Sequence, residues 1–261
     1  MRNIGGALSL LIACVATGCQ PVGIDRPITT AGGQPANEAA ARKSLLAYLQ
    51  SQNTTGFLVI KNNVTLVAGN WPPPADPLFD LFRYEMTDQG ELLEDVASQQ
   101  KSFVAILVGI AVDKGLVNVA APVSQYIGAG WSKASPEQES RIQVDHLLAM
   151  NSGLNEKLEY VAPPGTDFFY NTPAYAVSKR VLAAASGLSL EAMTADWLTK
   201  PLAMPHTQWR ERPAAFGDVG NSSGLVTTPG DSARFGAMVL HGGVDPDGHR
   251  IISEDELSKI F

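Results

Sequence analysis

The sequence predicts an α+β fold, in which an antiparallel sheet packs against a mostly helical region. Two short β-rich runs, Phe57–Ile60 and Val64–Val67, flank the pair Asn62-Asn63, which is typical of a tight hairpin turn. Between Phe103 and Val112 the chain is apolar without interruption, so a helix there must lie inside the protein. We therefore expect the helix 98–114 to lie buried between the hairpin's sheet and a helical region spanning about residues 120–200.

Further helices follow from the periodicity of apolar residues. They are expected over residues 37–52, 144–154, 172–187 and 230–243, and again close to the end of the chain in "SEDELSKIF". Gly115 is a suitable residue to end the apolar helix. Two strands alone are too few to form a stable sheet on which helices can pack. Further strands must therefore lie within residues 205–230, or else the sequence lacks its C-terminal part.

Composition restricts the classes of partner and cofactor. The chain has 261 residues, 45% of them hydrophobic, which is enough for one substantial core or a core with an inserted subdomain. The formal net charge is -7 and no long basic run occurs, so nucleic acid is not an expected partner. The histidines lie far apart and form no metal-binding motif, so we expect no metal or other cofactor; they are His146, His206, His241 and His249.

Residues 1–18 predict a lipoprotein-type signal peptide. A short positive start, Met1-Arg2-Asn3, precedes the apolar stretch Ile4–Val15, which is too short for the ~20 residues that a membrane-spanning helix needs. Both cysteines follow small or apolar residues, and both contexts resemble a bacterial lipobox. Cys19 is favoured over Cys14, because cleavage at Cys14 would leave a very short signal. The alternative is an ordinary secretory signal whose cysteines are incidental.

This N-terminus predicts a location. With Cys19 lipidated, residues 19–36, rich in Pro, Gly and Thr, would tether a domain formed by residues 37–261. The protein would then be anchored in the membrane of the bacterial cell envelope, facing the periplasm or the cell exterior. It would have no disulfide, so its core must hold without covalent cross-links.

A polar cluster opens the apolar helix. Ser98 and Lys101 are three positions apart and therefore share one face of a helix. A serine hydroxyl needs a neighbour that accepts its proton, and a desolvated lysine with a lowered pKa can do so. Because the S-x-x-K spacing arises often by chance, a polar first turn that merely caps a buried helix is the alternative. Context favours the catalytic interpretation, because this is the single S-x-x-K match in the chain and it stands at the start of the most apolar helix.

Tyr170 is the second candidate for chemistry. It follows the turn at Pro164-Gly165 and precedes the helix that begins near Thr172. A phenol held at such a junction can point into a cleft and act as a proton shuttle beside a lysine. Taken by itself, Tyr170 is more simply an amphipathic residue of the core.

These segments together carry a family resemblance. Ser98-x-x-Lys101 with the apolar run behind it, "IQVDHLLAMNSGL", "PPGTDFFYNTPAYAVSKRVLAAASG", "PLAMPHTQW" and "SSGLVTTPGDSARFGAMVLHGG" occur in the family's order. The chain thus resembles the serine β-lactamase-related hydrolases, closest to class C β-lactamases, D-aminopeptidases, esterases and nylon-oligomer hydrolases. The resemblance implies a β-lactamase/penicillin-binding-protein-like fold and hydrolysis of a small-molecule amide or ester through an acyl-enzyme on Ser98. It also implies that Lys101 and Tyr170 relay the proton.

The chain departs from the family's pattern in two places. The family usually has Tyr-x-Asn, but Tyr170 is followed directly by Asn171, and Thr172 takes the position expected to bind a substrate amide. We expect Asn171 and Thr172 to contact the substrate. The family's third element, a Lys/His-x-Gly strand, does not occur after "RIISEDELSKIF". The resemblance therefore implies a truncated hydrolase domain without its C-terminal strands, and weak activity or none.

Two other functions compete with this one. Gly220-Asn221-Ser222-Ser223-Gly224 matches the G-x-S-x-G motif of α/β-hydrolases, but that motif needs a buried strand before the serine and a helix directly after it. The non-catalytic alternative is an envelope lipoprotein that keeps the hydrolase scaffold as a binding module. The altered residues after Tyr170 and the absent third element favour this alternative.

Overall fold

The computed structural model describes residues 36–75, 80–214 and 220–261. The signal peptide, both cysteines and nearly all of the tether therefore lie outside the described residues. Helix α1 (Ala36–Ser51) precedes the hairpin of strands β1 (Gly56–Lys61) and β2 (Val64–Asn70), which pair antiparallel as the sequence predicts. At the turn, Asn62 and Asn63 have φ of 49° and 64°, in the left-handed region that asparagine tolerates better than most residues.

A second antiparallel sheet contains four strands: β3 (Arg83–Met86), β4 (Leu92–Asp95), β5 (Gln208–Glu211) and β6 (Ser223–Thr227). Their order in the sheet is β3-β4-β6-β5. Strands β5 and β6 lie within the range 205–230, one of the two places that the sequence left open for further strands. Strands β3 and β4 were not predicted, because four residues are too few to show a strand's alternation.

Helices fill most of the remaining chain. The central one is α2 (Gln100–Asp113), which continues a 3₁₀ turn, Ala97–Gln99. The later ones are α3 (Ser124–Ile127), α4 (Pro136–Glu139), α5 (Val144–Leu148), α6 (Thr172–Ser186), α7 (Leu190–Thr194), the π-helical turn Ala195–Thr199, α8 (Pro229–Leu240) and α9 (Glu254–Ile260).

Helix α2 lies in the middle of the core, as its composition requires. From Phe103 to Ala111 every residue except Ala105 is buried. Helices α6 and α9 pack against α2. The approach of α9 depends on Gly109, where a Cβ atom would come within 2.5 Å of the side chain of Ile252. On α8, Phe235 stacks on Phe103 with ring centroids 3.9 Å apart.

The hairpin does not sit where the sequence suggested. Among the described residues it forms a sheet of its own, and its main helical contact is with α8. A Cβ atom at Gly56 would lie 2.3 Å from the ring of Pro229, so the bare glycine lets the start of α8 rest on the hairpin. Helix α8 is thus placed between the hairpin and α2, because its Phe235 reaches Phe103.

We expect Phe103→Ala to lower the free energy of unfolding by about 3–5 kcal/mol, because it leaves a cavity in a fully buried aromatic contact. Chemical denaturation followed by circular dichroism measures this change. The matched control is Phe168→Ala, since Phe168 is 73% exposed and its loss should change stability by roughly 0.5 kcal/mol or less. Equal effects of the two substitutions would contradict the packing described for α2.

Candidate active site

Ser98, Lys101 and Tyr170, the three residues proposed from the sequence for catalysis, meet at one point. The Lys101 Nζ donates a hydrogen bond to Ser98 Oγ at 3.0 Å. The Tyr170 hydroxyl donates to the same oxygen at 2.7 Å, from 72 residues further along the chain. Two proton-carrying groups therefore converge on one exposed serine hydroxyl.

The position of Ser98 follows from the burial of α2. The helix behind it is apolar all round, whereas Ser98 lies in the 3₁₀ turn where the chain leaves the core and is itself exposed. The N-terminal end of a helix carries unpaired N–H groups and positive potential, which favours negative charge on or near Ser98. The polar first turn is thus where a nucleophile can be both rigidly held and accessible.

The loop before α6 brings Tyr170 to Ser98. The backbone N–H of Phe169 donates to the carbonyl of Met150 at 2.8 Å, and that of Gly165 donates to the carbonyl of Asn151 at 2.8 Å. Gly165 has a φ of 83°, which favours glycine at this turn. With the loop fixed at both points, the half-exposed Tyr170 reaches over the nucleophile turn.

Two opposing effects set the acidity of Tyr170. Burial alone would raise the pKa of its phenol, but the hydrogen bond with Ser98 and the nearby Lys101 ammonium together bring that pKa below its ordinary value. The Lys101 Nζ lies 5.0 Å from the centroid of the Tyr170 ring. The phenolate form is therefore more accessible here than in a free tyrosine, as a proton shuttle requires.

Tyr175 supports Lys101 from the other side. Its hydroxyl donates to the backbone carbonyl of Lys101 at 2.7 Å, and its ring centroid lies 5.8 Å from Lys101 Nζ. Burial raises the pKa of Tyr175, so its phenol keeps its proton. We assign Tyr175 to holding the first turn of α2 in place.

Asn171 is placed differently from the expectation that it contacts substrate. It is 1% exposed, and its Nδ2 donates to the carbonyls of Leu154 and Asn155 at 2.8 and 2.9 Å. Its Oδ1 accepts from the backbone N–H of Ala174 and so caps α6. In this structure the amide group is fully used by the backbone and does not face the cleft. Thr172 is half-buried at the first position of α6, and its contact with substrate stays a prediction.

A polar group behind the nucleophile turn was not predicted from the sequence. Lys179 on α6 is 8% exposed, and its Nζ donates to Gln100 Oε1 at 2.7 Å and to Asn221 Oδ1 at 2.8 Å. The carbonyl oxygen of Ser223 accepts from the same ammonium at 2.8 Å. The sequence did carry a signal, because Lys179 follows Tyr175 by four positions and so shares the buried face of α6.

A buried ion pair completes this group. Arg212 donates from Nε and Nη2 to the two carboxylate oxygens of Asp95, at 2.7 and 2.8 Å. The arginine and aspartate side chains are 6% and 1% exposed. Such two-pronged pairs fix geometry as well as charge. Asp95 also accepts from the backbone N–H of Ala97 at 2.8 Å, so the pair acts directly on the residue before Ser98.

The G-x-S-x-G segment lacks the surroundings of a nucleophile elbow. Ser222 is exposed, and strand β6 begins at the next residue, Ser223, where an α/β-hydrolase needs a helix. This placement rules out the α/β-hydrolase interpretation.

One group of side chains in the described part of the chain could approach a metal ion. Asp245, Asp247 and His249 each offer a ligand atom within 4.8 Å of the others, in the turn after α8. Asp245 Oδ1 accepts the backbone N–H groups of Asp247 and His249, so these contacts close a turn. The group lies outside the segments that carry Ser98, Lys101 and Tyr170.

Comparison with known proteins places these observations in a wider context. The model of the Beta-lactamase family matches residues 56–259, which include the whole site described above. A search of curated proteins gave no match.

Solved structures share the fold at low sequence identity. A Bacteroides dorei protein assigned as a β-lactamase is 20% identical with a TM-score of 0.67, over 84% of this chain and 68% of that one. The octameric penicillin-binding protein homologue of Pyrococcus abyssi is 17% identical with a TM-score of 0.63, over 85% of this chain and 59% of that one. The β-lactamase/D-alanine carboxypeptidase of Yersinia pestis is 19% identical with a TM-score of 0.59, over 83% of this chain and 72% of that one. The chain therefore spans about three fifths to seven tenths of the length of these proteins.

The acidity of Tyr170 can be measured without any substrate. We expect the difference in ultraviolet phenolate absorbance between the unaltered chain and Tyr170→Phe to rise at a pH below 10.0, the ordinary value. In Lys101→Met the midpoint should move up, because the neighbouring positive charge is lost. Tyr126→Phe, at a tyrosine outside this loop, provides the control for the subtraction. A midpoint that Lys101→Met leaves unchanged would contradict the proposed coupling.

Proposed function

Because the chain belongs to the Beta-lactamase family, we propose that it is a serine hydrolase that cleaves a small amide or ester through an acyl-enzyme on Ser98. The observation that carries the proposal is the convergence of Lys101 Nζ and the Tyr170 hydroxyl on Ser98 Oγ, at 3.0 and 2.7 Å. A serine that only capped a buried helix would need neither of these partners.

The reaction proceeds in two steps. In the first, Ser98 Oγ attacks the carbonyl carbon and its proton passes to the phenolate form of Tyr170, while the Lys101 ammonium stabilises the charge in the relay. The tetrahedral intermediate collapses, and the leaving amine or alcohol takes the proton from Tyr170. In the second, water adds to the ester on Ser98, the same relay accepts the water's proton, and Ser98 regains a proton as the acid leaves.

The placement of Ser98 also supports stabilisation of the intermediate. We assign its own backbone N–H, at the start of the helical turn, as one donor to the developing oxyanion. A donor fixed by a buried helix needs no reorganisation when charge appears, and such preorganisation is usually a large part of catalysis.

The substrate class rests on the family and on its members' chemistry. One relative is named for β-lactam hydrolysis and D-alanine carboxypeptidase activity, and both activities transfer an acyl group to a nucleophile. We propose a small amide or ester for this chain too. The segment around Asn171 and Thr172 differs from the family's pattern, so the relatives' substrates do not transfer directly.

The second candidate is a binding module on the same scaffold. One observation favours it: the amide of Asn171, adjacent to Tyr170, is used entirely by the backbone and leaves the cleft without that polar contact. A binding module would not need a reactive Ser98, so covalent labelling separates the two functions.

A fluorophosphonate probe tests the nucleophile directly. We expect the purified chain to gain one phosphonyl group with loss of fluoride, and Ser98→Ala to abolish the labelling. Tyr170→Phe and Lys101→Met should each slow it by about 10²–10⁴-fold, the usual contribution of a positioned acid or base. Intact-protein mass spectrometry measures all three.

Ser222→Ala is the matched control, because it removes an exposed serine of the excluded motif and should label at the unaltered rate. The double variant of Lys101 and Tyr170 should be little worse than either single one, since residues of one relay act as a unit. Independent losses that multiply would contradict a shared relay, and an unlabelled chain would favour the binding module.

We also propose that the protein is anchored to the cell envelope through a lipid on Cys19, and faces the periplasm or cell exterior. The support is the lipobox-like sequence around Cys19, with Cys14 as the alternative. Among the described residues, no helix is both long and apolar enough to cross a bilayer.

Replacing both cysteines tests the anchor. The double substitution Cys14→Ala and Cys19→Ala should move the protein from the membrane fraction to the soluble fraction, because the acyl chains supply the hydrophobic attachment. Cys19→Ala alone should have the full effect, and Cys14→Ala none. Metabolic labelling with a fatty acid, read on the same fractions, checks it. Unchanged membrane association of the double variant would refute lipid anchoring.

A further inference from the structure

The residue before the nucleophile has an unfavourable backbone conformation. Ala97 has a φ of 46°, in the left-handed region that residues with a Cβ atom rarely adopt. Side chains hold both of its backbone polar groups: its N–H donates to Asp95 Oδ1 at 2.8 Å, and its carbonyl accepts from Gln100 Nε2 at 2.9 Å. This conformation directs Ser98 toward its partners, so whatever fixes Ala97 also fixes the nucleophile.

Gln100 is itself held by a buried network. It is 1% exposed, and its Oε1 accepts from Lys179 Nζ at 2.7 Å and from Asn221 Nδ2 at 3.2 Å. These two bonds orient the amide group so that its Nε2 must face the carbonyl of Ala97. A Gln100 without them could rotate its amide and release that carbonyl.

The network returns to Ala97 through the sheet. Lys179 also donates to Asn221 Oδ1 and to the Ser223 carbonyl, both at 2.8 Å. Arg212 binds the same segment, because its backbone N–H donates to the carbonyl of Ser222 at 2.8 Å. Through its side chain Arg212 pairs with Asp95, which holds the N–H of Ala97. We name this closed set of contacts the Ala97 circuit; its side chains are Gln100, Lys179, Asn221, Arg212 and Asp95.

We propose that Lys179 is a positioning residue for Ser98, and that it acts by orienting Gln100 within the Ala97 circuit so that the left-handed turn at Ala97 is retained. The inference rests on the proposed acyl-enzyme function of Ser98 and extends it to a residue that contacts neither Ser98 nor substrate. A lysine suits this task, because one ammonium group carries three N–H donors, here shared among Gln100 Oε1, Asn221 Oδ1 and the carbonyl and hydroxyl oxygens of Ser223.

The charge of Lys179 affects the circuit. A neutral amine has two N–H groups, so deprotonation removes one of the hydrogen bonds that the ammonium donates to Gln100, Asn221 and Ser223. The pKa of Lys179 is lowered to about 7; burial is the main cause, the charges of Arg212 and Lys101 act in the same direction, and Asp95 opposes them. Tyr175, one turn earlier on α6, stays uncharged because burial raises its pKa. The circuit is therefore complete at pH values below about 7 and loses a hydrogen bond above.

The test compares the rate of fluorophosphonate labelling of Ser98 in the unaltered chain and in Lys179→Met, over a range of pH. Below pH about 7 we expect Lys179→Met to be slower by roughly 10–100-fold, the scale of a misplaced catalytic group. The rate of the unaltered chain divided by the rate of Lys179→Met should fall toward one as pH rises through about 7, because the Lys179 ammonium of the unaltered chain then loses its proton. The Ser98 relay titrates in both proteins, so the ratio removes the part of the pH profile that the two proteins share.

Three further variants separate positioning from plain stability. Lys200→Met removes a lysine whose side chain is 70% exposed, and should leave the rate and its pH profile unchanged. Leu202→Ala destabilises the core at a fully buried residue outside the circuit, and should lower the melting temperature without the pH-dependent rate ratio. Gln100→Met should reproduce the loss of Lys179→Met, and the double variant should be no slower than either. Gln100→Met also serves if Lys179→Met does not fold.

The outcomes are distinct. A wild-type chain that the probe does not label overturns the proposed function and this inference with it. A chain labelled on Ser98, with a rate ratio that stays near one at every pH, overturns the inference alone. The same holds for losses at Gln100 and Lys179 that multiply, or for a rate loss in Leu202→Ala with the same pH profile as in Lys179→Met. A ratio that falls through pH about 7, shared by Gln100→Met, supports the circuit.

Discussion

The burial of helix Gln100–Asp113 is the constraint on which the rest of the structure depends. A helix with apolar residues on every face can remove them from water only inside a core, so other elements must surround it. Phe103 stacks on Phe235 of α8, and Gly109 admits Ile252 from the turn that precedes α9. Once the helix axis is fixed in this way, the exit of the chain at its N-terminal end is fixed too. Ser98 is exposed because it stands at that exit, and rigid because the helix behind it cannot move.

The backbone polar groups at this exit need hydrogen-bond partners, and the Ala97 circuit supplies them. Ala97 is itself exposed and adopts a left-handed conformation, and its N–H and carbonyl are paired with the side chains of Asp95 and Gln100. These partners are buried, so Gln100, Asp95 and Arg212 bring charge and amide groups inside the protein. Burying ions costs several kcal/mol each unless they are well paired, which explains the two-pronged contact between arginine and aspartate. Such a pair is better explained by the geometry it imposes than by net stability.

The sequence predicts the parts of this arrangement that depend on local pattern. Ser98-x-x-Lys101, the hairpin turn at Asn62-Asn63 and the helix that ends at Ser186 are all visible within a few residues, because spacing and turn chemistry are local. The parts that it misses are contacts over long separations: Lys179 meets Gln100 across 79 positions, and Arg212 meets Asp95 across 117. The role expected of Asn171 could not be tested by pattern either, because a helix cap and a substrate ligand require the same amide.

Lys179 shows how the demands of fold and site can oppose each other. Its pKa is lowered from 10.5 to about 7, mainly by burial. Between these two pH values the unfolded chain holds the Lys179 proton and the folded chain does not. The contribution of Lys179 to the free energy of unfolding therefore increases as pH rises from about 7 to 10.5, and is lost again as pH falls back toward about 7. The Ala97 circuit has the opposite preference, because it is complete only while Lys179 keeps its third N–H group. The charged form of Lys179 thus lowers folding stability at the same pH values at which the Ala97 circuit fixes the position of Ser98. A methionine would avoid that cost but would leave acceptors on Gln100, Asn221 and Ser223 without their donor, so we attribute the lysine on this buried face of α6 to the geometry that it holds for Ser98.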